Sequence, residues 1–308
     1  MPLYLNHSAA RRRFKDLLGP ANHLLITILV GLSAVERRLI TECPPELHAA
    51  WNPQDPTASA LRSRKMVLEM TLVRATDAFD CYVSWSRQTP SLIQQPEMQR
   101  QIDSCGRRVL QKLNVMSSMQ GLNPVLSALV EVLIVWRNRA VHSLADNEVS
   151  DKTWNTLRSN EEWIRNEFRG MELGRLFGDF ERGGAPSFKE IASFIRAVQS
   201  LIQEMDAALL SQLDSEQYLR DFLSNLLRKP KADETPKKSM LRNAQSIWGR
   251  DGADRHAAVI SLLKHNGLSQ ECLSEHSCIF SDELLEKMSS FSTKALLEYL
   301  NSSGLDAA

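Results

Sequence analysis

The stretch that decides the fold class reads FKEIASFIRAVQSLIQEMDAAL and runs from Phe188 to Leu209. Large apolar side chains recur in it every three or four residues, at Phe188, Ile191, Ile195, Val198, Leu201 or Ile202, Met205 and Leu209. That period places them along one face of an α-helix. Alternation of period two, which is typical of strands, is almost absent from the chain. We therefore predict an all-α protein.

Further helices are predicted on both sides of this stretch, with their ends set by proline, glycine and capping residues. They span residues 21–41, 57–88, 97–118, 124–145 and 151–169. In the fourth, Leu129–Trp136 is apolar apart from Glu131 and also has the composition of a buried strand. No turn signal interrupts 124–145, and this run is too long for a typical strand, so we predict a helix.

The segment from Arg228 to Lys238 is charged, contains two prolines and lacks large apolar side chains, a composition typical of a linker. The expected organisation is therefore a helical domain over residues 1–228, a linker over 229–239 and a small helical domain over 240–308.

Composition limits the possible functions. The chain has 308 residues, of which 43% are hydrophobic and 24% charged, enough for a buried core. Lysine plus arginine and aspartate plus glutamate both number 37, so the net charge is zero. Composition alone therefore indicates no strongly basic surface for nucleic acid, and any contact with RNA must be local.

Cysteine usage and hydropathy predict a cytoplasmic protein. The five cysteines are widely spaced and follow no signal peptide, which favours reduced thiols. The most apolar stretch, Leu24–Val35, is well short of the ~20 residues that a membrane span needs. We interpret it as a core helix and expect no membrane partner.

One segment places charged and polar side chains at the end of an apolar run: Arg137-Asn138-Arg139-Ala140-Val141-His142. On a helix that turns ~100° per residue, Asn138 and His142 share a face because they lie four residues apart. Arg137 points about 100° away, but its long side chain can bend towards the same rim.

This segment resembles the Arg-x4-6-His signature of the HEPN superfamily, in which the residue after arginine is preferably polar. The matching residues are Arg137, Asn138 and His142. The resemblance implies a small all-α bundle over residues 1–228 and an endoribonuclease that needs no metal or cofactor. It further implies a homodimer whose two signatures line one cleft, a role as a toxin or anti-phage defence effector, and control by an antitoxin or regulatory partner.

The residue types suit RNA cleavage on chemical grounds. RNA carries its own nucleophile, the 2'-hydroxyl, so an enzyme need only move protons and stabilise charge on the phosphate. His142 is the natural proton-transfer group because the pKa of imidazole is ~6.5. Arg137 can hold the phosphate through two hydrogen bonds, and Asn138 can orient either the imidazole or the phosphate. The expected products carry 2',3'-cyclic phosphate and 5'-hydroxyl ends.

Non-catalytic explanations exist for the same residues. Arg137 and Arg139 fit a helix C-terminus, where cations interact favourably with the dipole, and His142 fits a cap. The whole protein would then be a helical module that binds a protein partner or a nucleotide. The lone carboxylate of Glu131 is expected to pair with an arginine on a neighbouring helix.

Two further sets of residues bear on the site. Asp77 and Asp80 resemble an acidic position that some HEPN families add from an earlier helix, and we choose Asp80; surface charge is the alternative for each. His265, Cys272, His276 and Cys278 could be taken for a zinc site, but their spacing matches no familiar motif. Buried cysteines with surface histidines are the preferred interpretation.

Overall fold

The computed structural model describes residues 1–141, 148–229 and 235–301. Within these ranges the chain is mostly helical, with one two-stranded sheet, so the all-α class is confirmed. A short 3-10 helix, Pro45–Leu47, lies between the second and third α-helices. The elements are, in chain order, β1 Leu3–Leu5, α1 Ala9–Leu18, α2 Ala21–Glu36, α3 Pro56–Arg87, α4 Pro96–Cys105, α5 Val109–Met116, α6 Pro124–Val141, α7 Asp151–Arg158, α8 Glu161–Glu167, α9 Leu173–Glu181, α10 Phe188–Ser211, α11 Ser215–Leu227, α12 Pro236–Trp248, α13 Gly252–His265, β2 Cys278–Phe280, α14 Asp282–Ser290 and α15 Thr293–Asn301.

The predicted helices are found, but two of them are divided. The helix expected over 97–118 is split into α4 and α5 at Gly106, whose φ of 55° cannot continue a right-handed helix. The helix expected over 151–169 is likewise α7 and α8, and it is followed by left-handed backbone at Arg169 and Gly170. Periodicity does not detect such breaks when both pieces bury the same kind of face.

The two strands were not predicted. β1 and β2 pair antiparallel, with Leu3 opposite Phe280 and Leu5 opposite Cys278. All four of these side chains are buried, and Tyr4 and Ile279 between them are more exposed. Three residues are too short to show a period of two, and the partners lie at opposite ends of the sequence, so no local signal reveals the pair.

The chain divides into two compact units. The terminal unit comprises Met1–Arg12, Val83–Ser104 and Met205–Ala308, and the central unit comprises Arg13–Tyr82 and Cys105–Glu204. This grouping differs from the division expected around residues 229–239. Helix α12 already begins at Pro236, within the expected linker, while residues 230–234 lie outside the described residues.

In the terminal unit, α11 packs against α12, α15 and β2, and α12 also packs against α13. The indole of Trp248 is buried and donates to the carbonyl of Met288 at 2.8 Å. Asp206 is fully buried and accepts from both the amide and the hydroxyl of Ser8. The Ser8 oxygen in turn accepts from the amide of Arg11 at 2.9 Å, which caps α1.

In the central unit, α6 is the most buried helix, and it packs against α5 and α7. Every residue from Val132 to Trp136 is buried. The ring of Trp136 meets Phe180 and Phe194 edge to face, and its N–H donates to the carbonyl of Gly184 at 3.0 Å. These contacts fix the rotation of the helix just before its polar end.

The interpretation of Leu24–Val35 as a core helix is wrong. Only Leu25 and Leu29 of α2 are buried, and much of the rest of its apolar surface is exposed. The stretch Ala9–Glu36 is long and apolar enough to cross a membrane by length and composition, and 17% of its most apolar window is buried. Periodicity alone could not distinguish this helix from a core helix, because its inner and outer faces are both apolar.

Candidate functional site

The polar end of α6 brings Arg137 and Asn138 together. Arg137 Nη1 donates to Asn138 Oδ1 at 3.0 Å, and Arg137 Nη2 lies 3.8 Å from Asp77 Oδ1 on α3. The Arg137 side chain is only 21% exposed, whereas that of Asp77 is 59% exposed. A partly buried cation is therefore held at the surface by one amide and one loosely placed carboxylate.

The guanidinium of Arg137 has hydrogen-bonding capacity left over. Its Nε is buried and has no partner among the residues that the structure describes. A buried N–H without an acceptor costs free energy, and an anion brought to this edge would supply one. The amide nitrogen of Asn138 is a further donor, since its oxygen is the atom that Arg137 engages.

Asp80, which we chose from the sequence, is engaged elsewhere. Its Oδ1 accepts from Lys112 Nζ at 2.6 Å, and the Lys112 side chain is only 10% exposed. The carboxylate thus compensates a nearly buried ammonium. Asp77, the alternative, is the acidic residue that the structure brings to Arg137.

Glu131 has a structural role, but its partner is not an arginine. Its two carboxylate oxygens accept from the amide of Ser150 at 3.0 Å and from the hydroxyl of Thr153 at 2.7 Å. Ser150 is the N-cap of α7, so the carboxylate binds the start of the next helix. The negative charge also lies at the positive end of the α7 dipole.

Arg139 is directed to the core rather than to the polar edge. Its guanidinium carbon lies 4.0 Å from the ring centre of Phe180, and its Nη1 donates to the carbonyl of the same residue at 3.4 Å. This cation–π contact gives Arg139 a structural role.

His142 lies outside the described residues. It follows Val141, the last residue of α6, and the description resumes at Glu148. The predicted convergence of His142 with Arg137 and Asn138 therefore stays a prediction.

Cysteine chemistry does not add to the site. Cys81 lies on α3 beside Asp77 and Asp80, and burial together with these two negative charges raises the pKa of its thiol. A thiol with a raised pKa is protonated at neutral pH and is a poor nucleophile.

The structure offers no support for the zinc alternative. No group of three or more potential metal ligands occurs within residues 1–141, 148–229 and 235–301. Cys278, one of the residues considered for a zinc site, is buried, and burial raises the pKa of its thiol to about 11.

One feature near the site was missed from the sequence. On α3, Met66, Met70, Val73 and Asp77 follow one another at steps of four, three and four residues and so form one line along the helix. The two methionines are 64% and 55% exposed, and Val73 is half-buried. Their spacing is visible in the sequence, but their exposure is not, because methionine usually indicates core.

Together these observations define a mostly helical protein with a cationic, partly buried edge at the end of its most buried helix. Comparisons with protein-family models, with curated proteins and with solved structures found no match to this chain.

Proposed function

We propose that the protein is a HEPN-type endoribonuclease that needs no metal ion or cofactor and acts in the cytoplasm as a toxin or anti-phage defence effector. The observation that carries this proposal is the pairing of Arg137 with Asn138 beside Asp77, immediately before His142 in the chain. The HEPN-like nature of the helical bundle belongs to the same proposal.

Arg137 is the phosphate-binding group in this mechanism. Its guanidinium carries a positive charge and offers parallel N–H donors to two phosphate oxygens. Partial burial strengthens the attraction, because the surrounding dielectric is lower than that of water. The amide oxygen of Asn138 keeps the guanidinium in place before substrate arrives.

His142 moves the protons. As a base it takes the proton of the 2'-hydroxyl, whose oxygen then attacks the phosphorus and displaces the 5'-oxygen of the next nucleotide. That oxygen leaves as a hydroxyl once it has gained a proton, and the phosphate remains as a 2',3'-cyclic diester. Arg137 stabilises the charge that accumulates on the phosphate during this step.

We assign the acidic position of the site to Asp77 rather than to Asp80. Asp80 already compensates Lys112, and its removal would leave that ammonium unpaired. Asp77 is exposed and 3.8 Å from Arg137, a distance at which a phosphate can replace it as the partner of the guanidinium. In the free enzyme, its charge would keep Arg137 oriented.

The proposed active form is a homodimer. The exposed line of Met66 and Met70 leads along α3 to Asp77, so a second copy covering these side chains would also approach the Arg137 edge. Exposed methionines suit such a contact because their flexible side chains adapt to a partner surface. An antitoxin or regulatory protein that covered the same line would block the site.

The decisive experiment is cleavage of single-stranded RNA by the full-length protein in excess EDTA, followed by analysis of the product ends. We expect cleavage that leaves 2',3'-cyclic phosphate ends, and no cleavage by His142→Ala with an unchanged circular dichroism spectrum. Loss of activity in EDTA, or 3'-hydroxyl ends, would contradict the proposal.

A second candidate is a non-catalytic helical module that binds a protein partner or a nucleotide. The observation in its favour is that Arg139 and Asp80, two charged residues near the motif, are engaged in structural contacts. Toxicity on overexpression separates the two candidates, since a pure binding module would not depend on His142.

A further inference from the structure

The exposed surface of α2 is uncharged, and its large side chains are apolar. No charged residue occurs from Ala21 to Val35, and the large side chains on its exposed half are Leu24, Ile26, Ile28 and Val30. Their exposed fractions range from 46% to 64%. Leu24 and Ile28 lie on one side of the exposed surface, and Ile26 and Val30 lie on the other, because residues four apart share a helix side. Singly exposed apolar residues are common, but four on one helix, two on each side, mark an interaction site.

A groove runs beside this helix within the central unit. One part, of about 510 Å³, is lined mainly by apolar side chains, including Ile26, Val30, Leu39 and Phe188. An adjoining part, of about 460 Å³, shares Ile26 and Phe188 and is mostly polar at its other side. The groove therefore has an apolar end and a polar end.

The polar end carries three cations, Arg169, Lys189 and Arg196. Arg196 forms an ion pair with Glu167, whereas Arg169 and Lys189 have no carboxylate partner among the residues that the structure describes. A Cβ placed on Gly170 would lie 3.5 Å from Lys189 Nζ, so the ammonium lies directly over the left-handed backbone that follows α8. Three cations against one carboxylate leave a net charge of two positive at this end.

An anionic occupant fits these charges better than a second copy of the chain does. A second copy would bring an identical surface, whose carboxylates Glu36 and Glu167 are already paired with Arg64 and Arg196. Unmatched cations would then face one another, which opposes association. An anionic lipid surface instead presents acyl chains to the apolar half of α2 and phosphates to the cations.

We propose that the central unit docks on an anionic phospholipid surface, with α2 lying in the interface and a lipid phosphate bound between Arg169, Lys189 and Arg196. Helix α2 is about 24 Å long and would lie along the membrane plane. The exposed ring of Phe188 would enter the headgroup region beside it. This proposal revises the expectation of no membrane partner and does not rest on the proposed nuclease activity.

The test is co-sedimentation of the full-length protein with vesicles of phosphatidylcholine alone and with vesicles that contain phosphatidylglycerol in addition. We expect binding to the anionic vesicles only, weakened by added salt because charge–charge attraction is screened. Two variants should bind at least about tenfold more weakly: Leu24→Asp with Val30→Asp, and Arg169→Glu with Lys189→Glu.

Matched control variants are available in other parts of the chain. Leu273→Asp alters an exposed apolar side chain of the terminal unit, and Arg107→Glu alters an exposed cation; both should bind the vesicles like the wild type. Circular dichroism and thermal melts of all variants would separate loss of docking from loss of folding.

Three results would overturn the proposal. The first is no preference for anionic vesicles, and the second is unchanged vesicle binding by folded forms of both double variants. The third is a wild-type dimer that becomes monomeric in Leu24→Asp with Val30→Asp while Arg169→Glu with Lys189→Glu leaves vesicle binding unchanged, which would assign the α2 face to a second copy.

Discussion

Polar side chains in the middle and at the end of α6 differ in how fully their hydrogen bonds are made. Glu131, in the middle, has hydrogen bonds to both carboxylate oxygens and binds the start of α7. Arg137, at the end, has one amide partner, a carboxylate at 3.8 Å and a buried N–H without an acceptor among the described residues. A polar group with its hydrogen bonds made stabilises the fold, whereas one with donors left over is available for a ligand.

The largest difference between Arg137 and Glu131 should be in the rate of RNA cleavage, which Arg137→Ala should lower. We expect the rate to fall about 10²- to 10³-fold, the range for loss of one donor to transition-state charge. The measurement is the initial rate of cleavage of a single-stranded RNA. Arg139→Gln is the control, because that cation packs on Phe180; it should lose stability but keep most of its activity.

Glu131→Ala should instead affect the stability of the protein rather than RNA cleavage. Loss of two hydrogen bonds to a charged acceptor should lower the free energy of unfolding by about 2 kcal/mol, measured by urea denaturation. Glu148→Gln removes an exposed carboxylate from the same connection and should change stability little. A Glu131→Ala protein as stable as the wild type would show that the α7 cap is not needed.

Asp77 and Asp80 allow the same comparison within one helix. Asp80→Asn should lower the free energy of unfolding by about 1–2 kcal/mol, between the values for exposed and buried pairs, because it leaves the Lys112 ammonium without its counter-charge. Asp77→Asn should change stability by less than about 0.5 kcal/mol. If Asp77→Asn were the more destabilising substitution, the assignment of Asp77 to the site would lose its basis.

The smallest expected effect concerns Asp206 and is seen only as pH changes. Burial raises the pKa of this carboxyl, although its hydrogen bonds from Ser8 oppose the shift. The native state then holds the proton at pH values where the unfolded chain has lost it, so this group contributes less stability as pH rises. Relative to Asp206→Asn, the wild type should become more stable as pH falls from 7 towards the ordinary pKa of an aspartate, ~3.9, as followed by denaturation at each pH. A constant difference would mean that Asp206 has a normal pKa.

Much of the fold could be predicted from the sequence, because helix periodicity and helix ends are local properties. α3 was predicted to within a residue, at 57–88 against Pro56–Arg87, and the buried stripe of α10 was correct except at Phe188, which is exposed. The pairing of Arg137 with Asn138 was also accessible, since the two residues are adjacent.

The carboxylates could not be assigned in the same way. Asp77 and Asp80 lie less than one turn apart on α3, and nothing local distinguishes them. Their partners, Arg137 on α6 and Lys112 on α5, are fixed by the packing of other helices. Glu131 was recognised as a structural residue because an unpaired carboxylate in an apolar run is costly, but its partners come from the next helix.

The sequence by itself determined that this chain is helical, has a net charge of zero and places Arg137, Asn138 and His142 at the end of an apolar segment. Tertiary structure decided which polar groups are engaged and which apolar groups are exposed: Glu131 at the cap of α7, Asp80 with Lys112, and α2 with its outer half in solvent. The physical reason is the distance along the chain over which each kind of interaction acts. Helix formation depends on neighbours within a few residues, whereas burial and charge pairing depend on segments that meet only when the chain has folded.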